Sequence, residues 1–324
     1  MAKVAILYGY VPKDAPEDEK DLLIEVEAVR DALKSLGNIV FPVSLKINPL
    51  PAIKRLQKIQ PDYVFNLVES IEGEIRLAGH STNVINYLKL PYTGNPAEAI
   101  GILNDKTYTK RILHAMNLPT PGFCDLEQAL LGNFPQLPVI IKSQTEHASV
   151  GLDEDSVADT SEELMQKLEQ RKELKGGVFI ESYIDGREFN ISVIADEGKP
   201  RVLPHAEIKF LNYPVGKPKV VGYKAKWNQD TFEYKNTQRT FEFPPSDEPL
   251  LTHLSKITEE CWNAFSLHGY ARVDFRVDKK NNPYVLEINT NPCISPDAGL
   301  AAAADQAGIG YASLIEKISQ DLNR

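Results

Sequence analysis

Residues 271–292, ARVDFRVDKKNNPYVLEINTNP, constrain the architecture of this chain more than any other stretch. Apolar residues alternate at Val273, Phe275 and Val277 and return at Val285, Leu286 and Ile288, while Lys279-Lys280-Asn281-Asn282-Pro283 has the composition of a turn. The pattern predicts a β-hairpin. Antiparallel pairing through that turn brings Asp274 back beside Glu287 and Asn289, which are two apart and share one face. Arg272 points the same way as Asp274. Two carboxylates and an amide oxygen make a hard-oxygen site suited to Mg²⁺ (or Mn²⁺) carrying a nucleotide's phosphates. A cation beside such a site suits phosphoryl or acyl-phosphate chemistry. The plain alternative is a solvated hairpin with an acidic face. Polar residues interrupting strongly apolar strands, with an Asn289-Thr290-Asn291-Pro292 turn directly after, favour the metal site.

At 324 residues the chain is expected to hold two or three domains, and 42% hydrophobic with 25% charged residues is ordinary for a soluble globular protein. The net charge of −9 leaves no basic excess for nonspecific nucleic-acid binding. The opening run MAKVAILYGYV meets Pro12 and Asp14 too soon for a signal peptide or membrane span. Cys124, Cys261 and Cys293 have neither metal spacing nor a disulfide framework, so a cytoplasmic location is expected.

Strand, helix, strand, helix, strand are predicted over 3–8, 20–36, 39–43, 52–59 and 62–68, a parallel α/β unit ending near Gly94-Asn95-Pro96. A helix is predicted over 105–116, a strand over 137–142, and a helix over 161–170 with Ser161 as N-cap. Strands over 177–184 and 188–195 change the pattern to α+β. Residues 212–238 read as a long loop interrupted by short strands. A helix over 250–267, the hairpin, and closing helices over 298–307 and 311–322 complete the chain. The expected domains are 1–96, 97–180 and 181–324.

Lys106 opens a helix and Lys142 ends an apolar strand; each alone reads as a surface lysine, but either can reach phosphate oxygens. SQTEHASVG follows Lys142, and its small residues Ala148, Ser149 and Gly151 let backbone N–H groups approach phosphates. No GxxxxGK[ST] or GxGxxG occurs. Glu181 and Glu188 flank a strand that can present backbone groups to an adenine edge, although Glu181 alone can equally be a lysine's partner. His147 reads as solvated and Cys293 has no companion base nearby.

Together these pieces resemble the ATP-grasp superfamily and, within it, the D-alanine–D-alanine ligases. RVDFRVDKKNNPYVLEINTNP resembles the R-x-D…E-x-N-T-x-P segment. LPYTGN with NDKTYTKRIL resembles the boundary of the first two domains, LPVIIKSQTEHASVGL the phosphate loop, VFIESYIDGREFNISVI the adenine hinge and DAGLAAAADQAGIGYASLI the closing helices. The likeness runs from about residue 90 to 318; before that only the α/β pattern agrees. It implies an ATP-grasp fold, α/β and α+β, behind an N-terminal Rossmann-like parallel α/β domain. It implies ATP and Mg²⁺ as cofactors, Lys106 and Lys142 on ATP phosphates, and Glu181, Ser182 and Ile184 around adenine, with Glu188 at the ribose. Lys226 would reach the terminal phosphate and Arg272 the transferring group, both catalytic together with Ser149, and Asp274, Glu287 and Asn289 would hold two metal ions. The implied reaction joins a small-molecule carboxylate to an amine through an acyl phosphate. Related enzymes are often dimers, which makes a homodimer one of the partners the likeness implies.

The departures cluster where amino acids bind in that family. No Gly-Gly stretch with Ser and Glu follows Gly9. The first, catalytic, serine of the phosphate loop aligns with Ala148, leaving Ser149. Trp227 replaces a tyrosine, Cys293 a glycine and Ala298 a serine. A histidine-glycine motif becomes Phe65-Asn66-Leu67-Val68-Glu69-Ser70, followed by Glu72 and Glu74. The expectation is therefore a ligase with a different substrate; Asp297 and the Glu69/Glu72/Glu74 group either favour a positively charged one or are ordinary surface charge, and the residues alone do not choose between the two. True D-alanine–D-alanine ligation and nucleotide binding without turnover stay open.

Overall fold

The computed structural model describes residues 1–15, 17–146, 149 and 151–323, the side chains of 17–19 apart. His147 and Ala148 lie outside the described residues. The chain opens with β1 (Lys3–Gly9), α1 (Glu17–Ser35), β2 (Ile39–Leu45), α2 (Leu50–Ile59), β3 (Tyr63–Asn66), α3 (His80–Tyr87) and β4 (Tyr92–Thr93). β1 pairs in parallel with β2 and β3, and β3 with β4. Both faces of this sheet are covered: Val4 and Ile6 face α1, while Ala5 and Leu7 share a core with Ala52, Leu56 and Ile59 of α2. Cover on both faces is why β1 reads as a continuous apolar run.

Helices α4 (Ala97–Leu103) and α5 (Lys106–Ala115) follow. Asp105 caps α5, its side chain accepting from the Thr107 and Tyr108 N–H groups. A four-stranded sheet, ordered β5-β8-β6-β7, comprises β5 (Phe123–Asp125), β6 (Val139–Ser143), β7 (Val157–Ala158) and β8 (Val178–Ser182), with α6 (Leu126–Leu130) and α7 (Ser161–Arg171). The cap of α7 is Thr160, whose side chain accepts from the Glu163 N–H; Ser161, the residue expected from sequence, is already helical.

The third sheet joins β9 (Gly186–Asp196), β10 (Lys199–Val202), β11 (Ala206–Phe210), β12 (Thr237–Thr240), β13 (Tyr270–Asp278) and β14 (Pro283–Asn289). Between β11 and β12 lie two short helices, α8 (Tyr223–Trp227) and α9 (Phe232–Asn236), where short strands were expected. At five residues each, neither is long enough to show a helical period. α10 (Glu248–Ala264) buries Leu254, Ile257 and Cys261 against this sheet, and α11 (Gly299–Gln306) and α12 (Tyr311–Gln320) return to α1. β15 (Leu322–Asn323) then adds antiparallel to β4, so the last residues complete the first sheet. Asn95, 1% exposed, ties the turn after β4 to the ends of β13 and β14: its Nδ2 donates to the Tyr270 and Thr290 carbonyls, and its Oδ1 accepts from the His268 N–H. No described helix is long and apolar enough to cross a membrane.

Candidate active site

The three sheets surround a cleft of about 1290 Å³. Its floor is the hairpin. Asp274 pairs in register with Glu287 and Arg272 with Asn289, as the alternation predicts. The ladder then shifts, and Phe275 faces Val285 in place of Leu286. That bulge accounts for two adjacent apolar residues: Val285 is buried in the core, while Leu286 lines the cleft. Asp274 accepts from Arg272 Nε (2.7 Å) and Nη2 (2.8 Å), Asn190 Nδ2 (2.8 Å) and Asn289 Nδ2 (3.1 Å). Burial works against the Arg272 charge, but the Asp274 carboxylate outweighs it and raises the guanidinium pKa. Among the described residues no group of three or more His, Cys, Asp or Glu side chains is placed to hold a metal ion. The set therefore rests on two carboxylates and one amide; all three offer hard oxygen donors, and their chemistry fits Mg²⁺.

A cationic wall stands beside the hairpin. Lys106 Nζ lies 3.7 Å from Glu287 Oε2 and donates to the Glu146 carbonyl at 2.7 Å. Burial lowers its pKa. The loop carrying that carbonyl is fixed to the start of α5: Lys106 N–H donates to Gln144 O and Gln144 Nε2 to Asp105 Oδ2. Lys142 Nζ lies 2.6 Å from Glu181 Oε1, and Lys110 Nζ lies 2.7 Å from Glu181 Oε2, a contact by distance rather than by hydrogen-bond angle. Burial alone would push the Glu181 carboxyl up; the two ammonium groups reverse that and bring it below its ordinary value. Glu181 thus positions lysines, and Lys110, which sequence reasoning passed over, is fully buried behind it.

Glu181, Ser182, Ile184 and Glu188 all line one end of the cleft, with Tyr183. Glu188 is held 2.7 Å from Arg276, another residue the sequence reading did not single out, although Arg272, Asp274 and Arg276 alternate along one strand. Opposite, the segment bearing α8 covers the site. Ser149 Oγ donates to Val221 O at 2.6 Å, and Tyr223 N–H donates to Leu152 O. Gly222 permits this approach, since a Cβ there would lie 2.5 Å from Leu152 O. Lys226 opens onto the cleft, where the charges of Arg272, Glu287, Asp274 and Glu188 act on it; burial among protein atoms is the larger effect and lowers its pKa.

At the remaining end, Glu69 and Asp297 line the cleft, whereas Glu72 and Glu74 are not among its described lining residues. Gly9 lets the chain after β3 pass close, because a Cβ there would meet Ser70 O at 2.3 Å. Asp21 and Glu25 of α1 also line this end. Their i, i+4 spacing put them on one helix face, but nothing local said that the face turns inward. Desolvation, reinforced by Asp21 and opposed by Arg272, pushes the Glu69 carboxyl up to about 7 even though it is open to water in the cleft. Cys293 donates to Asp21, and burial pushes its thiol far above the thiolate range.

Comparison with known proteins agrees with this geometry. Residues 123–320 match the family described as D-ala D-ala ligase C-terminus. The D-alanine--D-alanine ligase of a Marinomonas species is 31% identical, covering 98% of this chain and 95% of the relative. That of Aquifex aeolicus is 29% identical over 98% of this chain and 99% of its own. Solved D-alanine--D-alanine ligase structures from Bacillus anthracis superpose with TM-scores of 0.75, in complex with ATP, and 0.77, at 23% identity, over 99% of this chain and 97% of theirs. The fold is accordingly ATP-grasp, and the chain belongs to the D-alanine–D-alanine ligase family, as an ATP-dependent carbon–nitrogen bond-forming ligase.

Proposed function

We propose that this chain joins an amino-acid carboxylate to an amine through an acyl phosphate, with D-alanine as both partners in the reading its relatives favour. Relatives 29% and 31% identical over 98% of the chain carry that name, which weighs against the altered substrate expected from the sequence. A carboxylate oxygen attacks the γ-phosphorus of ATP as the bond to the β–γ bridging oxygen breaks, and ADP leaves. The amine nitrogen then attacks the acyl carbon; phosphate departs with the C–O electron pair, and the amine's proton passes to water. Lys106 and Lys142 would bind phosphate oxygens. Glu181, Ser182 and Ile184 would border adenine, and Glu188 the ribose. Asp274, Glu287 and Asn289 would hold the metal, which when bound offsets repulsion between carboxylate and triphosphate. Arg272 would stabilise charge on the transferring phosphoryl group and on the tetrahedral intermediate. Lys226 and Ser149 would close over the terminal phosphate, with Glu69 and Asp297 at the substrate end. The same reading divides the chain into domains at 1–96, 97–180 and 181–324.

One observation carries this reading: Arg272, Asp274, Glu287 and Asn289 line the same cleft as Lys106 and Lys142. The test is phosphate release from ATP and Mg²⁺ with D-alanine, and the mass of the product. No release with any amino acid would refute it and would leave nucleotide binding without turnover. A second reading, another amino acid in place of D-alanine, is favoured by Trp227 and Ala298 in the cleft and by the acidic residues beside them.

A further inference from the structure

The α1 side of the cleft holds more carboxyl groups than one α-ammonium group can use. Asp21, Glu25 and Glu69 line it together, and the Asp297 charge acts on Asp21 from the facing loop. Glu25 is only 2% exposed. Its Oε1 accepts from the Ile294 N–H at 2.7 Å, and its other carboxylate oxygen takes no bond from the described residues although the residue lines the cleft. The side-chain charges acting on Glu25 are those of Glu69 and Asp21, both negative. The cation acting on Glu69 is Arg272, which already gives two hydrogen bonds to Asp274. A buried carboxylate without a counter-ion is costly, and a ligand that brings the missing charge removes that cost. Arg239 lines the cleft with Arg272, a positive pole for a carboxylate, and the Asp297 charge acts on it as well.

We propose that the amino acid received at this end carries an ammonium group on its side chain as well as its α-ammonium, the two shared among Glu25, Asp21 and Glu69. The proposal rests on the second reading above, a ligase that takes another amino acid in place of D-alanine, and names the class of that amino acid. The competing account is that the carboxylates share protons with one another and bind nothing charged.

Ornithine and norvaline separate the two accounts, having the same chain length and differing by one ammonium group. Calorimetry on the full protein with Mg²⁺ and a non-hydrolysable ATP analogue should show one enantiomer of ornithine binding at least about tenfold tighter than the matching norvaline, the effect of a charge-assisted hydrogen bond. Glu25→Gln, which keeps an acceptor for Ile294, should bring that ratio below about threefold, and Asp21→Asn, at a half-exposed position, should do so if the first variant fails to fold. Equal affinity for ornithine and norvaline in both enantiomers overturns the proposal. Phosphate release measured in parallel tests the ligase reading separately. Release with D-alanine or norvaline that matches ornithine leaves the ligase standing and overturns the proposal. No release with any amino acid removes the ligase reading, and the affinity ratio still decides whether the cleft selects a second positive charge.

Discussion

Glu181→Gln tests whether the cationic wall is held by one buried carboxylate. The side chains of Glu181 and Lys110 are 1% and 0% exposed, and that of Lys142 is 16% exposed. Lys110 also donates to Thr120 Oγ1, which donates in turn to the Val285 carbonyl on the hairpin, so this carboxylate links the four-stranded sheet, α5 and the floor of the site. The glutamine keeps the volume and one acceptor but leaves two ammonium groups facing each other, with the Glu287 charge as the remaining favourable one on Lys110. Removing one partner of a buried pair costs about 3–5 kcal/mol, a large share of the roughly 5–15 kcal/mol that keeps a domain folded. Over a chain of this length, at about 2.1 cal/mol/K per residue, 3 kcal/mol lowers the melting temperature by about 4 °C. The sign of the pH dependence follows. Lys110 has a folded pKa already lowered by burial, and losing Glu181 lowers it further, while the unfolded value stays near its ordinary level. Between those two values the unfolded chain holds more protons, so stability rises with pH across the window. The melting deficit of the variant, followed by scanning calorimetry, should therefore shrink between pH 7 and pH 10. A deficit under about 1 kcal/mol, or one unchanged across that range, would refute the argument.

Glu287→Gln should lower Mg²⁺-dependent phosphate release by at least about 100-fold, with the melting temperature within about 2 °C of the parent, since its ion pair with Lys106 is a loose one at 3.7 Å; near-parental turnover would take Glu287 out of the metal set. Asn95→Ala should cost about 2–4 kcal/mol in urea denaturation, because it strips buried partners from Tyr270, Thr290 and His268; a loss below about 1 kcal/mol would show that water replaces the amide. Glu69→Gln should stabilise the protein at pH 8 more than at pH 5. Burial first, then the Asp21 charge, disfavours the Glu69 carboxylate, and Arg272 favours it, with a net folded pKa of about 7. The folded form thus retains a proton that the unfolded chain loses above the ordinary value of 4.5, and the penalty grows from there to about pH 7. Equal melting shifts at both pH values would mean that the folded carboxyl titrates normally.

What could be read from the residues and what could not divides along a physical line. The hairpin was legible because alternation, turn composition and antiparallel pairing are all local, and pairing by itself sets Asp274 against Glu287. The first sheet was legible for the same reason: buried parallel strands write themselves as apolar runs. Lys110 was within reach, one helical turn from Lys106, but a lysine reads as solvated until its partner is known, and Glu181 arrives on a different sheet. The bulge at Leu286 left only the hint of two adjacent apolar residues. The short helices over the cleft left none, since a single turn has no period. Asp21 and Glu25 show the limit most sharply. On α1 they look like part of a wet face, and they become cleft residues only because Ile294, 269 residues from Glu25, packs its backbone N–H against that carboxylate. On the proposed reading, nucleotide chemistry would rest mainly on one hairpin and the lysines beside it, where local pattern carries the information. Substrate choice would be spread over α1, the turn after β3 and the loop after β14, elements that meet only in the folded chain. A chain can keep the first while altering the second, because a charge changed on α1 leaves every hydrogen bond around Asp274 in place.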